Sequence, residues 1–264
     1  MLLPLVYHDI RTGDRKIDRQ GVEDRPYILD SEVFETHLRI LAQQGFQSAT
    51  SHDLVAFRSG QTQIPSKLVI LTFDDGHISN YTKAVPLLER YGFRAIFFIA
   101  TDLIGRPNMV SREHLLEMSQ RGMEIGSHTV THAIPVLLSE MQLKHELVES
   151  KLILEDLLGQ PVQAISSPTG FHDERMKPMA RKAGYETLFV GITSLRRPVW
   201  PLDMMWINRM DIKASVTLEM FEQLTLGHSL AGVQRRMIEW MLGQAKSILG
   251  PTRYNKVRAR LLEQ

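Results

Sequence analysis

The chain has 264 residues, 43% of them apolar, a formal net charge of +1 and no cysteine. That is enough chain for a sizeable core in one large α/β domain or two small ones. Without cysteine there are no disulfides or thiolate ligands, so any metal site must be built from His, Asp and Glu. The near-neutral balance argues against nucleic-acid binding, which usually needs a marked basic excess.

The first residues, MLLPLVYHDIRTGDR, have no basic leader, and their apolar run is too short for a secretory signal. No stretch approaches the roughly 20 apolar residues of a membrane span. The sequence as it stands predicts a cytoplasmic protein, or an envelope or secreted one if a signal has been removed.

LPLVY reads as a strand, and residues 31–44 as a helix capped by Ser31, with Val33, Phe34, Leu38 and Leu41 at near-helical spacing. KLVILTF is a continuous apolar strand, followed by a helix over 80–91 and the strand RAIFFIA. A helix over 111–121 leads to the strand MEIGS. The longest helix covers 139–158, with Ser139 as cap and Gly159-Gln160-Pro161 as stop. QAIS, a helix over 173–183 and YETLFV follow. Such alternation implies parallel strands covered by helices, as a barrel or a doubly wound sheet. The first 190 residues read as one domain.

Parallel α/β folds collect their chemistry where strands end. His8 and Asp9 follow the first strand, Asp74 and Asp75 follow LVILTF, His128 and His132 follow MEIGS, and Pro168 and Gly170 follow QAIS. One histidine after a strand is usually a hydrogen-bonded structural residue; four such sites together are harder to dismiss. Two adjacent carboxylates repel, more so when desolvated, and a bound cation compensates them. His128 and His132 are spaced i, i+4, which lets two imidazoles face one ion from a single turn, although a surface pair on a loop fits too. With one Asp they complete an Asp-His-His set that leaves a position open for water. The other Asp is then free to take a proton.

TFDDG (72–76) and SHTVTH (127–132) resemble the first two motifs of the polysaccharide deacetylases, the NodB-homology or carbohydrate esterase 4 family. The resemblance implies an α/β fold, a distorted, incomplete (β/α) barrel. It also implies Asp74 as general base and Asp75, His128 and His132 as ligands of one divalent ion, usually zinc. SSPTG is similar to the third motif, so that Ser167, Pro168, Thr169 and Gly170 line the groove and supply an oxyanion N–H. Ser166 stands where that motif usually has an Arg that orients the catalytic Asp.

The family's late Leu-x-His motif, which carries the general acid, has one late candidate, His228 in TLGHSL. LVYHDI ahead of LTFDDG resembles instead the circularly permuted biofilm poly-N-acetylglucosamine deacetylases, in which the late motif moves to the amino terminus. That resemblance makes His8 the general acid, with Asp9 or Asp211 expected to keep it protonated. It covers about residues 1–190, so residues 1–195 are read as the catalytic barrel and 196–264 as a mostly helical C-terminal part completing the domain.

The expected reaction is metal-dependent hydrolysis of N-acetyl groups on an amino-sugar polysaccharide or its precursor. The alternatives are a carbohydrate-binding protein without activity, favoured by the missing Arg, and a metallohydrolase of other C–N amide bonds. Other histidines weigh less: His37 and His145 read as surface or packing residues within helices, His52 and His114 as helix-start residues, and His77 as a groove residue. Trp200, Trp206 and Trp240 are available for stacking on sugar rings. The basic tail from Arg235 to Arg260 reads as a solvated helix face, with contact to anionic lipid as the alternative.

Overall fold

Runs such as LVILTF and IFFI have no polar alternate, so both faces of these strands must be covered. In the computed structural model, which describes residues 1–11, 25–170, 172–191, 203, 205–226, 241, 249 and 250, they are. In chain order the elements are β1 (Leu2–Tyr7), β2 (Asp9–Arg11), β3 (Ile28–Asp30), α1 (Ser31–Gln43), β4 (Gln47–Ser48), α2 (Ser51–Arg58) and β5 (Leu68–Phe73). A π-type turn over Asn80–Ala84 runs into α3 (Val85–Arg90), followed by β6 (Ile96–Ile99), α4 (Arg112–Gln120), β7 (Glu124–Ser127) and α5 (Glu140–Leu158). Then come β8 (Ala164–Ser166), α6 (Met176–Lys182), β9 (Thr187–Gly191), β10 (Ile207–Asp211) and α7 (Leu218–Thr225).

Every pairing between the named strands is parallel. The order β1-β10-β9-β8-β7-β6-β5 returns to β1 along a register from Leu2 opposite Leu68 to Tyr7 opposite Phe73, closing a seven-stranded barrel. The expected (β/α) barrel is therefore present, and its closing strand β10 lies beyond the boundary near residue 195 that the sequence suggests. His228, Trp200, Trp240 and the basic tail lie outside the described residues.

Pleating divides the strand residues between two cores. Leu68 and Ile70, Ile96 and Phe98, Ala164, Phe189 and Ile207 fill the barrel with Ala49 and Leu54, so α2 closes the barrel at one end. Their neighbours Val69, Leu71, Phe73, Phe97, Ile125 and Leu188 face the surrounding helices. The seam is sealed on its outer side by Tyr7 against Phe73 at 5.5 Å and Phe73 stacked on Phe97 at 4.7 Å. Such pairs add about 0.5–1.5 kcal/mol each beyond burial. Gly126 has no room for a side chain, since a Cβ would lie 2.6 Å from the Phe98 ring.

Helix ends follow their cap chemistry. Ser139 accepts from the Gln142 N–H as expected, and Gly159 ends α5 in the left-handed region at φ 65°. The cap of α1 is Asp30, not Ser31: the Asp30 carboxylate accepts from Glu32 N–H, and Ser31 is the first helical residue. Ser111 and His114 cap α4 reciprocally, and buried Glu124 reaches from β7 to Ser51 and His52 at the start of α2. His37 is wholly buried, stacked on Phe221 of α7 at 3.8 Å and within 3.3 Å of the Tyr7 hydroxyl.

Candidate metal centre

The parity that fills the barrel also orients the site. Leu68, Ile70 and Thr72 face inward, and so does Asp74, the next residue of that set. The Asp74 N–H donates to Tyr7 C=O, which places His8 level with Asp74 on the neighbouring strand. Ser166 ends β8 and Arg209 lies in β10. The apolar filling thus stops at a polar layer at the carboxyl ends of the strands.

Asp75, His128 and His132 offer ligand atoms that all lie within 4.8 Å of one another, the arrangement a single ion needs. Asp75 Oδ1 is 3.4 Å from His128 Nε2 and 3.2 Å from His132 Nε2. His128 Nδ1 is 3.0 Å from Ser166 C=O, which can only accept, so Nδ1 carries the proton and Nε2 keeps its lone pair for a cation. The donor set therefore fits a divalent ion. Burial would raise the Asp75 carboxyl, but His128, His132 and His77 together hold it well below the usual range. His77, expected in the groove, stands 3.6 Å from the other Asp75 oxygen.

The two histidines converge without a helix. Thr129 and His132 are left-handed at φ 68° and 60°, as are Asp75 at 76° and Thr169 at 59°. Four of the five described non-glycine residues with positive φ thus belong to this site, a concentration of strain that packing must support. Gly76 follows Asp75 at φ 83°, where a side chain would press against Ile99.

Asp74 is held differently. Arg209 donates to both its oxygens at 2.7 and 2.8 Å, and also to Thr72 Oγ1 and Ser166 Oγ; Ser166 Oγ donates to Asp74 at 3.2 Å. Burial would raise this carboxyl too, and Arg209, with His128, keeps it low. The guanidinium sits over the rings of Phe98 and Phe189, at 5.2 and 5.8 Å. Sequence reasoning missed Arg209. Its one signal is an inward-parity position in INRMD, a strand recognisable only once the barrel is known to need another member.

His8 is brought to this edge as expected. It is half-buried beside Tyr27, ring to ring at 4.6 Å, and its buried Nδ1 has no hydrogen-bond partner among the described residues. The expectation that an acid keeps it protonated is corrected. Burial pushes the imidazole below the ordinary histidine range, although Asp75, Asp74 and Asp211 pull the other way. Asp9 is tied up with Arg11 and Ser79. Ser167 N–H donates to Phe189 C=O, and Pro168, Thr169 and Gly170 form a tight turn. Next to that turn, His172 meets Trp206 edge-on at 4.6 Å.

Residues 61–188, which contain the Asp-Asp and His-His motifs, match the polysaccharide deacetylase family. The chain carries a polysaccharide deacetylase (NodB-homology) domain. It is 30% identical over 190 residues to the Bacillus subtilis (strain 168) protein YxkH, named as a polysaccharide deacetylase, covering 72% of this chain and 63% of that protein. The chain thus spans less than two thirds of that relative. It is 25% identical over 203 residues to the poly-beta-1,6-N-acetyl-D-glucosamine N-deacetylase of Staphylococcus aureus, covering 69% of each chain. Among solved structures, the Streptococcus pyogenes deacetylase PplD in complex with acetate superposes with a TM-score of 0.71 at 25% identity, covering 83% of this chain and 95% of that one.

Proposed function

We propose that the protein hydrolyses N-acetyl groups on an amino-sugar polysaccharide or its precursor, using one divalent ion, zinc, at Asp75, His128 and His132. The observation that carries this reading is the separation of duties between adjacent carboxylates: Asp75 faces two imidazoles, while Asp74 is gripped by Arg209. A bound divalent cation supplies Lewis-acid polarisation of a carbonyl and makes a water acidic near neutral pH. Asp74, ionised and oriented, takes the proton from the attacking water. Backbone N–H near Thr169 helps hold the developing oxyanion. His8, in its protonated form, donates to the leaving amine.

The staphylococcal relative and the amino-terminal place of His8 support a poly-N-acetylglucosamine type of substrate. Trp206 and His172 beside the third-motif turn give sugar rings an apolar edge to lie against. The case for a binding protein without activity rested on the missing motif Arg, and Arg209 fills that place. No helix among the described residues is long and apolar enough to cross a membrane. The test is acetate release from acetylated glucosamine oligomers. Activity that is lost with chelator and restored by zinc is expected; no acetate from any oligomer, with zinc bound, overturns the reading.

A further inference from the structure

His128 and His132 lie four residues apart but outside any helix, so no intrahelical hydrogen bonds fix the angle between their rings. The turn between them takes its bonds from elsewhere. On one side, Thr101 and Asp102 N–H donate to the carbonyls of Thr129 and Val130, at 3.1 and 3.0 Å. On the other, one carboxylate collects the donors: Glu146 of α5 accepts from Val130 N–H at 2.7 Å, Thr131 N–H at 2.9 Å and the Thr131 hydroxyl at 2.6 Å.

Glu146 is buried at 6% exposure on the inner face of α5, among Leu143, Leu147 and Leu154. A carboxylate there is expensive unless its oxygens are satisfied. Ser150, one turn further along the same face, continues the polar stripe. Its hydroxyl is 2.8 Å from that of Ser127, which accepts from Thr129 N–H. Every backbone N–H from Thr129 to Thr131 is therefore anchored, directly or through Ser127, by the inner face of one helix.

We infer that Glu146 is a positioning residue for the metal centre, its carboxylate holding the 128–132 turn in the left-handed form that aims both imidazoles at Asp75. The inference rests on the metal site proposed above. Glutamine has nearly the same shape but presents an NH2 donor to one of the three donors of the turn, so Glu146→Gln relaxes the turn without opening a cavity. Outer groups that orient ligands are commonly worth 10–100-fold in metal affinity.

The experiment measures zinc affinity by competition with a chromophoric chelator, and the visible spectrum of the cobalt-loaded protein, for wild type, Glu146→Gln, Thr131→Val and Leu154→Ala. Glu146→Gln is expected to bind zinc about 10-fold or more weakly with an altered cobalt spectrum, and Thr131→Val to fall between it and wild type. Leu154→Ala destabilises the same helix from within the core and is expected to melt earlier with wild-type affinity. Affinity of Glu146→Gln within about twofold of wild type overturns the inference, as does an equal loss in Leu154→Ala. If Glu146→Gln does not fold, Thr131→Val decides, and unchanged affinity and spectrum there overturn it. A wild-type protein that binds neither metal overturns the metal reading itself, a result distinct from the others.

Discussion

Asp74 and Asp75 are chain neighbours in opposite surroundings, one facing a guanidinium and the other two imidazoles. Asp74→Asn should keep zinc and lose most turnover, because an amide cannot take a proton; Asp75→Asn should lose both. Metal analysis of the two purified variants checks this, and equal zinc loss would mean that both carboxylates coordinate. His8, whose buried Nδ1 has no partner among the described residues, gives a second residue-scale expectation. His8→Ala should lower turnover by ~10²-fold or more at unchanged metal content. Steady-state kinetics on a zinc-loaded sample would sink the assignment if the rate stayed within a few-fold of wild type.

Among the elements, β10 does most for the site relative to its five residues, since it closes the barrel and delivers Arg209 to Asp74. Arg209→Lys keeps the charge but cannot make two parallel bonds to one carboxylate. It should cut kcat by about 10-fold or more while KM and zinc content hold; an unchanged kcat would show that Asp74 needs no tether. Complete removal of the cation leaves Asp74 buried and unpaired, at a cost of about 3–5 kcal/mol, so Arg209→Ala is expected to fail by unfolding. This strand also marks where sequence reading stopped. The apolar runs of β5 and β6 and the capped α5 were legible because burial and cap chemistry are local. The Asp75, His128 and His132 cluster was legible because its residues sit in short motifs at strand ends. Arg209 was not, because its partners Asp74 and Ser166 lie 135 and 43 residues away and meet it only through the register of a closed barrel. Asp30 was missed as the cap of α1 for a different reason, since the neighbouring Ser31 was an equally good local candidate.

The stability of the whole molecule is expected to depend on pH through a histidine outside the Asp-His-His cluster. His37 joins α1, α7 and β1 by stacking on Phe221 and approaching Tyr7, and burial pushes its imidazole down to about 3. The folded protein keeps it neutral, whereas the unfolded chain takes up a proton below about 6.5. Unfolding therefore binds a proton in that window, and stability is lost as pH falls from about 6.5 toward 3. Between pH 7 and 5 this one group should remove about 2 kcal/mol. The advantage of wild type over His37→Gln in urea unfolding should shrink by that amount over the interval. A difference that does not change with pH would rule the group out.

The seam between β1 and β5 has a consequence for the order in which the protein is made. The three residues proposed to hold the ion lie between residues 75 and 132, on loops after β5 and β7, and can come together while the ribosome is still at work. The tether of Asp74 cannot, because Arg209 is synthesised more than a hundred residues after the carboxylate it holds. On the proposed reading, a growing chain can acquire its ion before Asp74 is aligned. On that reading hydrolytic competence arrives last, with the pairing of β10 between β9 and β1.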